Sequence, residues 1–188
     1  MTDDAQEYPL RVEAGPPSEG ELALARHVLD TLRSTMRRQR ALAERALVQI
    51  EPGDWHARLD PEGNSLAILV KHLGGNLRSR WTDFLTTDGE KPERDRNGEF
   101  ATEEAPAEAL MDVWDEGWET ALASLDALTA ADLDRTVTIR GEPHSVVQAI
   151  VRSVDHTAQH VGQIVFLAKH LRGEAWQLLS VPTPRRGA

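Results

Sequence analysis

Val154 to His170 reads VDHTAQHVGQIVFLAKH. Its apolar residues recur at three- and four-residue steps, which predicts an α-helix. On a helix, His156 and His160 lie one turn apart on the same side. Two imidazoles so placed can hold one metal ion, or they can be two ordinary polar residues. If a metal binds, the third ligand has to come from another element. The organisation of the rest of the chain therefore decides what this pair can do.

Working outward, Ser145 is placed to cap this helix, which is expected to run to about Leu171. Just before it, DLDRTVTIRGEP (Asp132 to Pro143) is β-branched at Thr136, Val137, Thr138 and Ile139. That pattern predicts a short extended segment or small hairpin, stopped by Pro143. Ser18 begins a first long helical run to Ile50, with Leu22, Leu29, Leu32 and Met36 on one stripe. EPGDWHARLDPEGNS (Glu51 to Ser65) breaks the pattern with Pro52, Gly53, Pro61 and Gly63. Asn64 or Ser65 can cap a second helix, striped by Leu66, Val70, Leu73, Leu77, Trp81 and Phe84. A charged loop, TTDGEKPERDRNGEF, precedes a third helix from about Thr102 to Leu128. Its stripe is Leu110, Val113, Trp114, Trp118, Leu122 and Leu125. Four long helices with unequal loops predict an all-α fold, a four-helix bundle. It would have a long crossover connection after the first helix and a short extended segment before the last. Residues 1–18 are expected to form a flexible N-terminal arm, 19–179 the bundle and 180–188 a C-terminal tail.

The 188 residues suit one domain with a sizeable core. There are no cysteines, which excludes disulfides, thiolate metal sites and a cysteine nucleophile. Any thiol chemistry must use a small-molecule thiol. The formal net charge of −10 works against binding nucleic acid. The one basic cluster, RSTMRRQR (Arg33 to Arg40), reads as a solvated helix face. No apolar run approaches the roughly 20 residues of a membrane span. The first twenty residues lack a basic region followed by an apolar one, so the expected location is the cytoplasm.

On the wheel of the last helix, Val147, Ile150, Val151, Val154, Ala158, Val161 and Val165 form a broad aliphatic stripe. It is wide enough to serve both a core and a subunit contact. His156 and His160 border the opposite side with Ser153, Gln163 and Leu167. They are therefore either a solvated pair or part of a more polar face lining a pocket. The pair is not H-E-x-x-H, because Thr157 stands where a zincin has its glutamate base. Asp155 points away from the pair. His72, at the edge of the second helix's stripe, is the candidate third ligand, with Asn76 one turn further on the same side. His27, His56 and His144 read as surface, loop and cap residues. His170 lies about 15 Å along the axis from His160, too far to share an ion. Gly74, Gly75 and Gly162 either admit a ligand or a helix near the histidines, or serve ordinary close packing. Trp81, Trp114 and Trp118 read as core, and one of them could wall a pocket.

Asn64 to Phe100, together with HTAQHVGQIVFLAKHL (His156 to Leu171), resembles the DinB/YfiT-like superfamily. More narrowly, it resembles the subgroup described as DUF1572. The similarity spans roughly residues 20–175. It implies a four-helix bundle, commonly a homodimer. It also implies a divalent metal held by three histidines, matching His72, His156 and His160 here. Gln163 matches the family pattern too, as a residue beside the ligands or in the pocket. Zinc or nickel suits such nitrogen ligands. Characterised relatives include transferases and isomerases that use low-molecular-weight thiols such as bacillithiol or mycothiol, although this subgroup carries no assigned reaction. The expectation is an open three-histidine site, serving a metal-dependent transferase that uses a small-molecule thiol. The alternatives are a metal-dependent hydrolase and a non-catalytic metal-binding homodimer.

Overall fold

The computed structural model describes residues 16–101 and 105–179. The expected tail, most of the expected N-terminal arm and the expected helix start at Thr102 lie outside these residues. The described chain is mostly helical. Helix α1 spans Glu19–Leu47, α2 Leu66–Trp81, α3 Arg96–Glu99, α4 Ala107–Ala127 and α5 Val146–Arg172. Strands β1 (Thr136–Ile139) and β2 (Glu142–Ser145) form a small antiparallel hairpin before α5.

The helix starts follow local chemistry. Ser18 and Glu21 form a reciprocal capping box at α1, and Ser145 and Gln148 form another at α5. At α2 the cap is Ser65, whose hydroxyl accepts from the Ile68 N–H at 3.3 Å. Helix α4 begins at Ala107, after Pro106, because the residue before a proline is biased away from helix. The short α3 lies inside the stretch read as a charged loop. Asp95 caps it by accepting from Gly98 N–H at 2.9 Å.

The hairpin corrects one expectation. Pro143 does not stop the extended segment. It lies within β2, opposite Thr138. A two-stranded hairpin has a free edge on each strand, so a missing N–H is tolerated there. The turn uses Arg140 (φ 57°) and Gly141 (φ 77°), as a tight two-residue hairpin loop requires.

Helix α1 packs mainly on α5, while α2 packs on α4 and α5. The core joins Leu29 and Met36 of α1, Leu73 and Leu77 of α2, Trp114 and Trp118 of α4, and Ile150 and Ile164 of α5, all essentially buried. The basic cluster of α1 is largely engaged within the chain. The Arg33 guanidinium donates to the carbonyls of Leu125, Asp126 and Leu128 at the end of α4. Arg37 pairs with Asp126, and Arg40 with Asp115.

The buried face of α5 lies about a quarter turn from the aliphatic stripe. It runs through Ile150, Ser153, Thr157, Val161, Ile164 and Ala168. Val147, Val154, Ala158 and Val165 are only half-buried, and Val151 is 51 % exposed. Ser153 and Thr157 count as polar on a wheel, yet they are small enough to pack. Their burial turns the histidine edge of α5 toward α2.

The glycines divide cleanly. A Cβ on Gly117 would stand 2.3 Å from the Gly74 carbonyl oxygen, and one on Gly74 would stand 2.5 Å from the Val113 carbonyl oxygen. Helices α2 and α4 therefore meet backbone to backbone. Gly162 faces open space and admits nothing. Gly117→Ala should destabilise by about 1–3 kcal/mol, overpacking outweighing better helix propensity. Gly162→Ala should stabilise by up to about 1 kcal/mol. Urea unfolding of both variants beside wild type checks the two signs.

Candidate metal centre

Helix α2 supplies His72, and α5 supplies His156 and His160. Their rings converge edge to face. The Nε2 atom of His156 lies 3.3 Å from Nε2 of His72 and 3.2 Å from Nε2 of His160. Two imidazole nitrogens bound tetrahedrally at about 2.0–2.1 Å from zinc would be about 3.3–3.4 Å apart. The three histidines thus form a group that could hold one metal ion.

The protons support this geometry. His72 Nδ1 donates to Glu99 Oε2 at 2.9 Å, and His160 Nδ1 donates to Gln163 Oε1 at 2.8 Å. With Nδ1 protonated, each ring turns a bare Nε2 lone pair toward the common point. His156 has at most one Nε2 proton to share between them while neutral. A cation at the centre satisfies all three lone pairs. His156 departs from the pattern in one respect, since its own Nδ1 is buried without a partner. Burial, then the neighbouring His160 and His72, and then Arg94 and Arg80 push its pKa down to about 3. Burial also lowers His160, partly opposed by its bond to Gln163. Both imidazoles are therefore neutral at pH 7, the form that binds metals.

Glu99 is the residue that sequence reasoning missed. It belongs to α3, yet it is buried against α2. Arg94 grips it through a two-pronged pair, Nε to Oε1 at 2.7 Å and Nη2 to Oε2 at 2.8 Å. Burial alone would raise the Glu99 carboxyl, but the bonds from His72 and Arg94 outweigh it and keep its pKa low. Gly75 makes room for this carboxylate. A Cβ there would stand 2.3 Å from Glu99 Oε1. Within a charged loop nothing in the sequence distinguished Glu99 from its neighbours. The one available signal was the second glycine three residues after His72.

Asn76 is buried and lines a cavity beside the histidines. Gln163 orients His160 from the helix surface. Trp81 is the tryptophan that walls the cavity, with its indole N–H on Ser153 Oγ at 3.1 Å, while Trp114 and Trp118 are core. Thr157 is fully buried, and Asp155 accepts from Gln159 at the surface. His56 bonds the Ala105 carbonyl, and His144 sits in β2 on the Glu142 carbonyl. His27 and His170 are exposed.

The cavity has a volume of about 320 Å³ and all three histidines lie in its wall. That volume falls within the range of small-molecule sites, about 300–1,000 Å³.

A family model described as a protein of unknown function, DUF1572, matches residues 23–185. The chain belongs to the DUF1572 family. The match covers His72, His156, His160 and Glu99 alike. No curated protein matches the chain significantly. Among the described residues no helix is long and apolar enough to cross a membrane.

In this DUF1572 chain, Glu99 fixes the ring angle and tautomer of His72. Should the three histidines hold an ion, Glu99→Gln is expected to weaken its retention by about 10–100-fold without abolishing binding. Competition with a chromophoric chelator measures that directly.

Proposed function

We propose that this protein is a metal-dependent transferase of the DinB/YfiT type, built on a four-helix bundle. It would hold zinc or nickel through His72, His156 and His160 and use a small-molecule thiol. The observation that carries the reading is the join between the three Nε2 atoms and a small-molecule cavity. A purely structural ion would be enclosed by protein, and a cavity walled by all three histidines favours the open reading.

A divalent ion held there supplies Lewis acidity, lowering the pKa of a thiol or a water in its remaining positions. The residues around it favour the thiol. Among the described residues that line the cavity none is Asp or Glu. Glu99 faces His72 and Arg94, and Thr157 is packed in the core. Hydrolysis would still want a proton donor for its leaving group, and no carboxyl among the described lining residues supplies one. A thiol ordinarily ionises near pH 8.5, so a modest shift suffices without a base. The chain has no cysteine, so the thiol enters as a reactant. Trp81 and Phe84 offer an apolar wall for the electrophile, and Asn76 a polar contact. Reduced thiols of this kind are cytoplasmic reagents, which fits a cytoplasmic enzyme.

Elemental analysis of untagged wild type should give about one zinc or nickel per chain, and His160→Ala should lose it. Adding a low-molecular-weight thiol to cobalt-substituted protein should then produce a sulfur-to-metal charge-transfer band. Metal retained by His160→Ala would sink the ligand set. Metal that binds but never responds to thiol would leave the non-catalytic reading.

We also infer a homodimer. Val151 is 51 % exposed in a row with Val147, Val154, Ala158 and Val165, which the core covers only in part. Val151→Glu should convert the dimer to a monomer in light scattering, with metal content unchanged. A wild type that is monomeric at high concentration would rule the dimer out.

A further inference from the structure

The wall of the cavity beside the three histidines carries five arginines: Arg80, Arg94, Arg96, Arg140 and Arg152. This stands out in a chain whose formal net charge is −10. None of the described lining residues is acidic. The carboxylates that touch these arginines lie behind the wall. Glu99 is taken up by Arg94 and His72. Glu90 is shared among Arg80 at 3.0 Å, Arg94 at 3.3 Å and Arg140 at 2.9 Å. Asp88 accepts from the Arg140 backbone N–H at 2.8 Å, so five guanidiniums against these three carboxylates leave two positive charges uncompensated.

Arg96 and Arg152 are the free ones. Among the described residues neither has a carboxylate partner, and both are exposed at the cavity. Arg96 rests over the Phe100 ring, its guanidinium carbon 5.4 Å from the ring centroid. They come from different elements, α3 and α5, so the fold brings them to one cavity. Arg80 and Arg94 are held behind them with side chains only 12 % and 4 % exposed. Asn76, 8 % exposed, lines the same wall with no hydrogen-bond partner for its amide among the described residues. Unmatched positive charge gathered along one cavity wall attracts an anion into it.

We propose that the substrate bound in this cavity is a small organic anion, its acid group held by Arg96 and Arg152. The body of the molecule lies against Trp81 and Phe84, with Asn76 as a hydrogen-bond partner and its reactive end toward the three histidines. Guanidinium forks match carboxylate and phosphate oxygens equally well, so the shared chemistry is an oxyanion. The proposal rests on the reading that this cavity is the substrate side of the metal centre.

The test is calorimetric titration of full-length, metal-replete protein with two probes, succinate and inorganic phosphate. Dimethyl succinate serves as the uncharged control, and the metal content of every sample is measured alongside. One of the two anions should bind at one site per chain, weaken with added salt, and lose affinity about ten-fold or more in the Arg96→Gln/Arg152→Gln double variant. Arg38→Gln, on the outer face of α1, should bind like wild type. The tighter probe identifies the acid group. As a second readout, the bound anion should slow phenylglyoxal modification of Arg96 and Arg152, followed by peptide mass spectrometry. Equal binding by the double variant, equal binding of the diester, or no binding of either anion to metal-replete protein overturns the proposal and leaves the metal centre standing. Arginine-dependent anion binding by protein that takes up no metal keeps the anion site but overturns its place beside a metal centre.

Discussion

Helix α2 touches α4 through bare backbone, and the site depends on that contact. Gly74 and Gly117 face one another closely enough that a methyl group on Gly117 would overlap a carbonyl of α2. The contact seats α2 deep in the core, with Leu66, Val70, Leu73 and Leu77 fully buried. His72, two residues before Gly74, is thereby held inside the protein. The next glycine, Gly75, leaves the space that Glu99 fills. Two adjacent glycines in one helix thus do separate jobs. One permits helix packing, and the other permits a carboxylate to reach the histidine from a neighbouring segment. Each gives up about 1 kcal/mol of helix propensity relative to alanine.

The electrostatics are layered. Arg94 holds Glu99, Glu99 holds His72, and His72 turns its free nitrogen to the other two histidines. Each link fixes the rotamer and protonation of the next, and such outer partners set ligand basicity and orientation. Around this chain the cavity wall is positive, while the protein as a whole is strongly negative. Burial keeps His156 and His160 neutral, so this pair does not add to that positive charge. The result is a pair of neutral imidazoles beside a positive cavity wall.

Much of this was legible in the chain before folding. Heptad-like stripes and the serines at positions 18, 65 and 145 marked the long helices and their starts, because caps and periodicity are local properties. The i, i+4 spacing of His156 and His160 put them on one side of one helix whatever the rest of the chain did. His72 and Asn76 were likewise one turn apart on α2. The resemblance carried by Asn64–Phe100 and His156–Leu171 pointed to the three histidines that the fold brings together, and the absence of cysteine left only nitrogen and oxygen as candidate ligands. Where local reading failed, the cause was tertiary. Pro143 stays in a strand because the hairpin has a free edge. The buried face of α5 runs through Ser153 and Thr157, since packing rewards small volume as well as hydrophobicity.

The sequence by itself thus determined which segments are helices, which histidines can act together, and that any thiol must come from outside. Only the tertiary structure decided that His72 Nε2 comes within 3.3 Å of His156 Nε2 with His160 beside them, that Glu99 and Arg94 stand behind it, and that five arginines from separate elements share one cavity. The physical reason is range. Capping and periodicity are settled within a few residues, whereas Glu99 lies 27 positions from His72 and His156 lies 84. Charges that far apart in the chain become neighbours only when the core has packed.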